Sequence, residues 1–116
     1  MAIITNIKPY ILHISNPIFR ADIQVMGLIP KPKSEAWLET TNITGEVIFA
    51  SNTPNISEAF DSTYDDDIYL IKTKDLRNIW YEDPNFLHSP PLFMYTYEPI
   101  PPSALELIYK GTGNSL

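Results

Sequence analysis

The stretch Tyr10–Gly27 reads YILHISNPIFRADIQVMG and predicts a strand followed directly by a helix. Its first six residues favour β-structure, and the proline that comes two residues later bounds them. Asn16 is a suitable N-cap, Pro17 suits the first helical position, and Gly27 suits the end of the helix. The sequence therefore predicts that the fold begins with this strand and the helix that follows it.

Alternation along the strand separates two faces. His13 and Ser15 lie on one of them. The opposite face is wholly apolar, which favours it as the core face, and it carries Tyr10, Leu12 and Ile14. Helical spacing gives the following segment an apolar stripe made by Phe19, Ile23 and Met26. We expect this stripe to pack against the apolar strand face.

The rest of the chain predicts short elements, because it holds 11 prolines against 4 glycines. A second helix is expected to begin at Thr53-Pro54 and to run to about Phe60 or Tyr64. Further strands are expected at 45–51, 68–73, 79–81, 92–98 and 105–109. Two early helices followed by many short strands predict an α+β fold with a small split or bent β-sheet. We expect a single domain over residues 1–116, with a frayed tail at 110–116.

Composition excludes several classes of function. The chain has no cysteine, which excludes disulfides, thiolate zinc sites and a cysteine nucleophile, and its two histidines make a metal site unexpected. A net charge of −6 disfavours binding to duplex nucleic acid. No apolar run reaches the roughly 18 residues of a membrane span, and no signal-peptide pattern is present, so we expect no membrane contact and a cytoplasmic location.

Sequence motifs narrow the choice further. The chain lacks the glycine-rich dinucleotide and P-loop motifs, the nucleophile elbow and the zinc-protease motif. What remains is a dispersed set of polar and aromatic side chains on predicted strands. His13 is as consistent with a histidine satisfied by backbone as with a functional one. For Glu98, a carboxylate at the edge of a sheet is the favoured interpretation over catalysis.

The order of three short motifs adds a resemblance. A strand with the sequence LHIS (12–15) precedes the first helix, IFAS (48–51) precedes SEAF (57–60), and YEPIPP (97–102) precedes the last strand. Together they resemble, in the same order, the motifs of the ADP-ribosyltransferase-like superfamily. In that superfamily a histidine strand, an aromatic motif before a helix and a glutamate before an IPP turn follow one another along the chain.

The resemblance implies a cleft that binds NAD as a substrate with its nicotinamide end inward. Glu98 would then be the catalytic carboxylate, stabilising the oxocarbenium-like centre that forms when nicotinamide leaves. His13 would bind the nicotinamide ribose, and an aromatic side chain would stack on the nicotinamide. The resemblance assigns NAD binding to His13, Ser15, Phe49, Ser51 and Phe60.

Two residues depart from the family pattern. Ile48 stands where a tyrosine is expected, unless the register shifts by one residue so that Phe49 fills this position. Thr96 stands where arginine-modifying members have a second acidic or amide residue. The leading hypothesis is an enzyme that transfers ADP-ribose from NAD to a protein or, less favoured, to a nucleic acid. The alternative is a catalytically silent domain of the same fold that binds a nucleotide or a protein partner, such as an inhibitory or host protein. Related RNA phosphotransferase chemistry is disfavoured, because Arg20 and Arg77 are the only arginines.

Overall fold

The computed structural model describes residues 2–31, 43, 45–60 and 65–113. In these residues, strands form one antiparallel sheet in the order β1-β5-β6-β3-β2-β4-β7, with the bounds β1 (Ile3–Ile4), β2 (Tyr10–Ser15), β3 (Ile48–Ser51), β4 (Asp67–Lys72), β5 (Trp80–Glu82), β6 (Phe93–Thr96) and β7 (Leu105–Tyr109). The α-helices are α1 (Arg20–Met26) and α2 (Ile56–Ala59), and short 3-10 helices cover Pro17–Phe19 and Pro102–Ala104. The expected α+β class with two short α-helices is therefore confirmed.

The first helical segment begins and ends where its capping residues predict. The Asn16 side chain accepts a hydrogen bond from the Ile18 amide at 3.0 Å, and Pro17 opens a 3-10 turn that continues into α1. Gly27 ends α1 with a φ of +78°. A side chain at Gly27 would also overlap the carbonyl oxygen of Ile100. Glycine is thus required here both by the backbone conformation and by the close approach of the chain.

The second helix starts later than predicted. The expected start at Thr53-Pro54 is wrong because Asn55 is the N-cap, and its side chain accepts from the Ser57 amide at 3.0 Å. The Thr53 hydroxyl instead accepts from the Asn55 amide at 3.1 Å, which makes a turn before the helix. Helix α2 ends before Phe60, and the other predicted end, Tyr64, lies outside the described residues.

Strand limits differ from the predictions at their ends. β3 begins at Ile48 rather than at residue 45, because Val47 is already engaged in an isolated bridge with Lys31. β6 is shorter than the predicted 92–98 at both ends. The two-residue strand β1 was not expected, and it pairs with β5 at the edge of the sheet.

Both faces of β2 are buried, which corrects the expectation that only the Leu12 face meets the core. Ile11 and Leu12 are each 0% exposed, whereas Tyr10 is 47% exposed. Ile23 of α1 belongs to the cluster on the Ile11 face, not to that on the Leu12 face, which is covered by Ala59 of α2. The alternation of residues along β2 could not show that both of its faces are buried, because a different helix covers each face.

The sheet is least paired between β2 and β3. Within the described strands, β2 and β3 are in register only at Leu12 and Ser51, whereas β2 and β4 pair at all six positions from Tyr10 to Ser15. The two strands therefore diverge toward Ser15. This opening positions the cavities described below.

More of the C-terminal segment contacts the rest of the domain than the sequence predicted. The Arg20 guanidinium donates to both carboxylate oxygens of Asp67, at 2.8 and 2.7 Å, and the Gly111 amide donates to the same carboxylate at 2.8 Å. The hydrogen bonds from Arg20 hold the pKa of Asp67 below its usual range. Of the predicted frayed tail, residues up to Gly113 are thus in contact with the fold, and 114–116 lie outside the described residues.

Candidate functional site

A cleft with a volume of about 650 Å³ lies beside the opening between β2 and β3, on the side of α1. We call it the His13 cleft. Its walls come from β2, α1 and the segment around β3, and the side chains that bear on its chemistry are His13, Ser15, Phe19, Asp22 and Lys31. A cavity of this size lies within the usual range for small-molecule sites.

His13 presents a defined hydrogen-bond acceptor to this cleft. Its Nδ1 lies 2.6 Å from the carbonyl oxygen of Phe49, so Nδ1 carries the proton. Burial lowers the pKa of His13, and the nearby Lys31 lowers it as well, against the opposing effect of the bond to Phe49. The ring is therefore neutral near pH 7, and its Nε2 has a lone pair that accepts hydrogen bonds.

Lys31 supplies a positive charge to the same cleft. Its Nζ lies 3.3 Å from the centroid of the Phe19 ring, which holds the ammonium by a cation–π contact. Among the described residues, no carboxylate forms an ion pair with Lys31, although Asp22 also lines the cleft. The Ser15 hydroxyl makes only a 3.5 Å contact with the Asn16 carbonyl. The cleft thus offers an acceptor, a cation and a hydroxyl to one ligand.

A second cavity, with a volume of about 290 Å³, lies on the opposite face of the sheet at the same β2–β3 opening. We call it the phenylalanine groove, after the rings of Phe49, Phe60, Phe86 and Phe93 that line it. Ser51 lies on its floor, and Asp83 supplies its charged side chain. Phe49 lines both cavities.

The residues assigned to NAD by resemblance are thus divided between the two cavities. His13 and Ser15 line the His13 cleft, while Ser51 and Phe60 line the phenylalanine groove. Phe49 lies between them and carries the carbonyl that binds His13. The β2–β3 opening is what brings all five to one region of the fold.

Glu98 lines neither the His13 cleft nor the phenylalanine groove. Its Oε1 accepts the Ile79 amide at 2.8 Å, and its backbone carbonyl accepts the Asn78 side chain at 2.9 Å. After Glu98 the chain crosses to pair Ile100 with Leu28. The prediction that His13 and Glu98 line one cleft is therefore wrong for this structure. The Glu98 carboxylate instead accepts a hydrogen bond from the backbone amide just before β5.

Two residues of the cavities were not singled out by the sequence. Lys31 follows Pro30 at the start of a polar loop, and Asp83 is in the Glu82–Asn85 turn, where a solvated role is the ordinary expectation. Ile48, which stands in place of the family tyrosine, is 3% exposed and packs in the core beside the His13 cleft. Only the folding of distant segments onto β2 and β3 gives Lys31 and Asp83 their positions.

Comparisons with family models, with curated proteins and with solved structures found no match to this chain. In the part of the chain that the structure describes, no helix is long and apolar enough to cross a bilayer, and no three histidine or acidic side chains are grouped so that they could hold a metal ion. The function has to follow from the chemistry of the two cavities.

Proposed function

We propose that this chain is a nucleotide-binding domain whose His13 cleft takes a ribonucleotide of the NAD or ADP-ribose type. The observation that carries the proposal is the position of the His13 ring in the cleft, with its Nδ1 bonded to the Phe49 carbonyl at 2.6 Å. Its Nε2 makes no hydrogen bond within the described part of the chain and is therefore available as an acceptor to a ligand in the cleft. A ribose hydroxyl is a donor of the kind that this acceptor requires.

The charge in the cleft supports the same ligand class. Lys31 has no carboxylate partner among the described residues and lies close enough to His13 to lower its pKa. An ammonium in this position would attract a phosphate or pyrophosphate group. Asp22, which also lines the cleft, would accept from a second hydroxyl. A hydroxyl-bearing anion thus satisfies each of these groups.

The proposal includes an ADP-ribosyltransferase-like fold. Support for it comes from the motif order and from the position of the cleft, which lies at the least paired junction of the sheet beside the histidine strand. Turnover is a separate matter. A transferase would need the Glu98 carboxylate at the reacting ribose, and here that carboxylate accepts the Ile79 amide. This arrangement favours nucleotide binding without turnover over catalysis. The alternative functions are transfer of ADP-ribose to a protein acceptor and binding of a protein partner.

The test measures ADP-ribose and NAD binding by isothermal titration calorimetry. We expect His13→Ala to weaken binding at least tenfold, because it removes the acceptor, and Lys31→Met to weaken it as well. His88→Ala, at the chain's other and exposed histidine, is the matched control and is expected to leave binding within twofold. Equal affinity of wild type and both cleft variants would overturn the proposal.

A nicotinamide-release assay separates binding from turnover. Incubating the protein with NAD, with and without a cell extract, is expected to release no nicotinamide above background. Release that is lost in Glu98→Gln would instead establish the transferase, and it would require the Glu98 carboxylate to leave the Ile79 amide during the reaction. Thermal melts of each variant show whether the fold is retained.

A further inference from the structure

The floor of the phenylalanine groove carries a row of side chains that crosses the sheet. Leu12 is in register with Ser51, and Ser51 with Phe93. The Asp83 amide donates to the Phe93 carbonyl at 2.9 Å, which continues the row beyond β6. Ser51 and Asp83 are thus two strand spacings apart on one face, a separation of about 10 Å between backbones.

Asp83 is the charged side chain of the groove, and its residue is largely buried. It is 3% exposed, and its Oδ1 accepts both the backbone amide and the side-chain amide of Asn85, at 2.9 and 3.0 Å. Among the described residues, no basic side chain pairs with it. Both of the hydrogen bonds from Asn85 go to Oδ1, so Oδ2 is left to accept a hydrogen bond from a ligand in the groove that Asp83 lines.

Ser51 is the second polar side chain in the row. It is also 3% exposed, and in the described part of the chain its hydroxyl makes no hydrogen bond. The hydroxyl is therefore open to the groove that Ser51 lines, where it can bond to a ligand. The two polar groups therefore lie at separate positions in a groove that is otherwise apolar.

The aromatic walls select the charge of that partner. The rings of Phe49, Phe60, Phe86 and Phe93 line the groove, and the Phe86 and Phe93 rings meet edge to face with centroids 5.5 Å apart. Aromatic faces attract cations and repel anions. The volume of about 290 Å³ fits a compact ligand rather than an extended peptide. The net charge of −6 also favours the approach of a cation.

We propose that the phenylalanine groove binds a small organic ammonium with an aromatic body and a hydroxyl at its far end. The ammonium pairs with the free oxygen of Asp83, the aromatic body packs among the phenylalanine rings, and the hydroxyl bonds to Ser51. The site lies on the opposite face of the sheet from the His13 cleft and does not depend on nucleotide binding there.

Three probes test the proposal with the wild-type protein. Tyramine carries both polar ends, 2-phenylethylamine lacks the hydroxyl, and 4-ethylphenol lacks the ammonium. Titrations followed by backbone amide shifts in NMR spectra are expected to show tyramine binding at least tenfold more tightly than 4-ethylphenol and several-fold more tightly than 2-phenylethylamine, with shifts at Ser51 and Phe93. Equal binding of tyramine and 4-ethylphenol, or no binding of tyramine, would overturn the proposal.

Two variants locate the contacts. Asp83→Asn retains the acceptor for Asn85 and removes the charge, so the preference for tyramine over 4-ethylphenol is expected to fall from at least tenfold to less than threefold. Asp75→Asn, at an exposed carboxylate, is the control and should keep the wild-type preference. Ser51→Ala should abolish the preference for tyramine over 2-phenylethylamine. If folded Asp83→Asn still prefers tyramine over 4-ethylphenol as strongly as the wild type does, the proposed ammonium contact is wrong. If that variant does not fold, the binding of the three probes to the wild-type protein tests the proposal.

Discussion

Replacing Ile23 by alanine tests how α1 is held on the sheet. Ile23 is 5% exposed and is the buried residue of this helix. The substitution removes three buried carbon groups, which costs about 2.4 kcal/mol at about 0.8 kcal/mol each. A closed cavity would add to this cost. Because Ile23 also lines the His13 cleft, the space opens to solvent and the added cost is small. We expect a loss of about 2.5–3 kcal/mol in the free energy of unfolding.

Urea denaturation followed by far-UV circular dichroism measures this loss. The matched control is Val25→Ala on the same helix, where the side chain is 78% exposed; we expect a change within about 0.5 kcal/mol, since surface substitutions rarely exceed this. A loss below about 1 kcal/mol in Ile23→Ala, or equal losses in the two variants, would show that α1 does not pack on the Ile11 face of the sheet.

Three other predictions follow from single contacts. Burial lowers the pKa of His13 below its usual 6.5, so the unfolded chain binds a proton at this histidine more readily than the folded chain does. The Tm should therefore fall as the pH drops below about 6.5, and it should fall less in His13→Phe. Gly27→Ala should lower the free energy of unfolding by about 2 kcal/mol or more in urea titrations, because alanine disfavours the positive φ and its Cβ meets backbone. Arg20→Met should lower the Tm clearly more than Arg77→Met, since Arg20 alone of the two pairs with the buried Asp67; equal melting curves would show that this pair does not stabilise the fold.

Most of what the sequence predicted correctly depends on signals within a few residues. Asn16, Pro17 and Gly27 bound the first helical segment through their own backbone preferences and short-range hydrogen bonds. The extent of β2 and β7 followed from runs of β-forming residues next to turns. The second helix was placed two residues too early because two nearby polar residues, Thr53 and Asn55, can each cap a helix. Only the observed hydrogen bonds distinguish them.

The candidate site was only partly accessible to sequence reasoning. The resemblance pointed to residues that do gather at the β2–β3 opening, including His13, Phe49 and Ser51. It also pointed to Glu98, which lines neither cavity and whose carboxylate accepts the Ile79 amide. Neither Lys31 nor Asp83 carries a local pattern that distinguishes it from other charged residues of loops.

The sequence by itself determined the local elements of this protein, because strand alternation and helix caps act between neighbours along the chain. Tertiary structure alone decided that both faces of β2 are buried, that His13 bonds through Nδ1 to the Phe49 carbonyl, and that Asp83 lines an apolar groove. Each of these depends on which distant strand lies beside which. The physical reason is that the order of strands in the sheet determines burial and hydrogen-bond partners. The alternation of residues along a strand shows which residues share a face, but it does not show which strand or helix packs on that face.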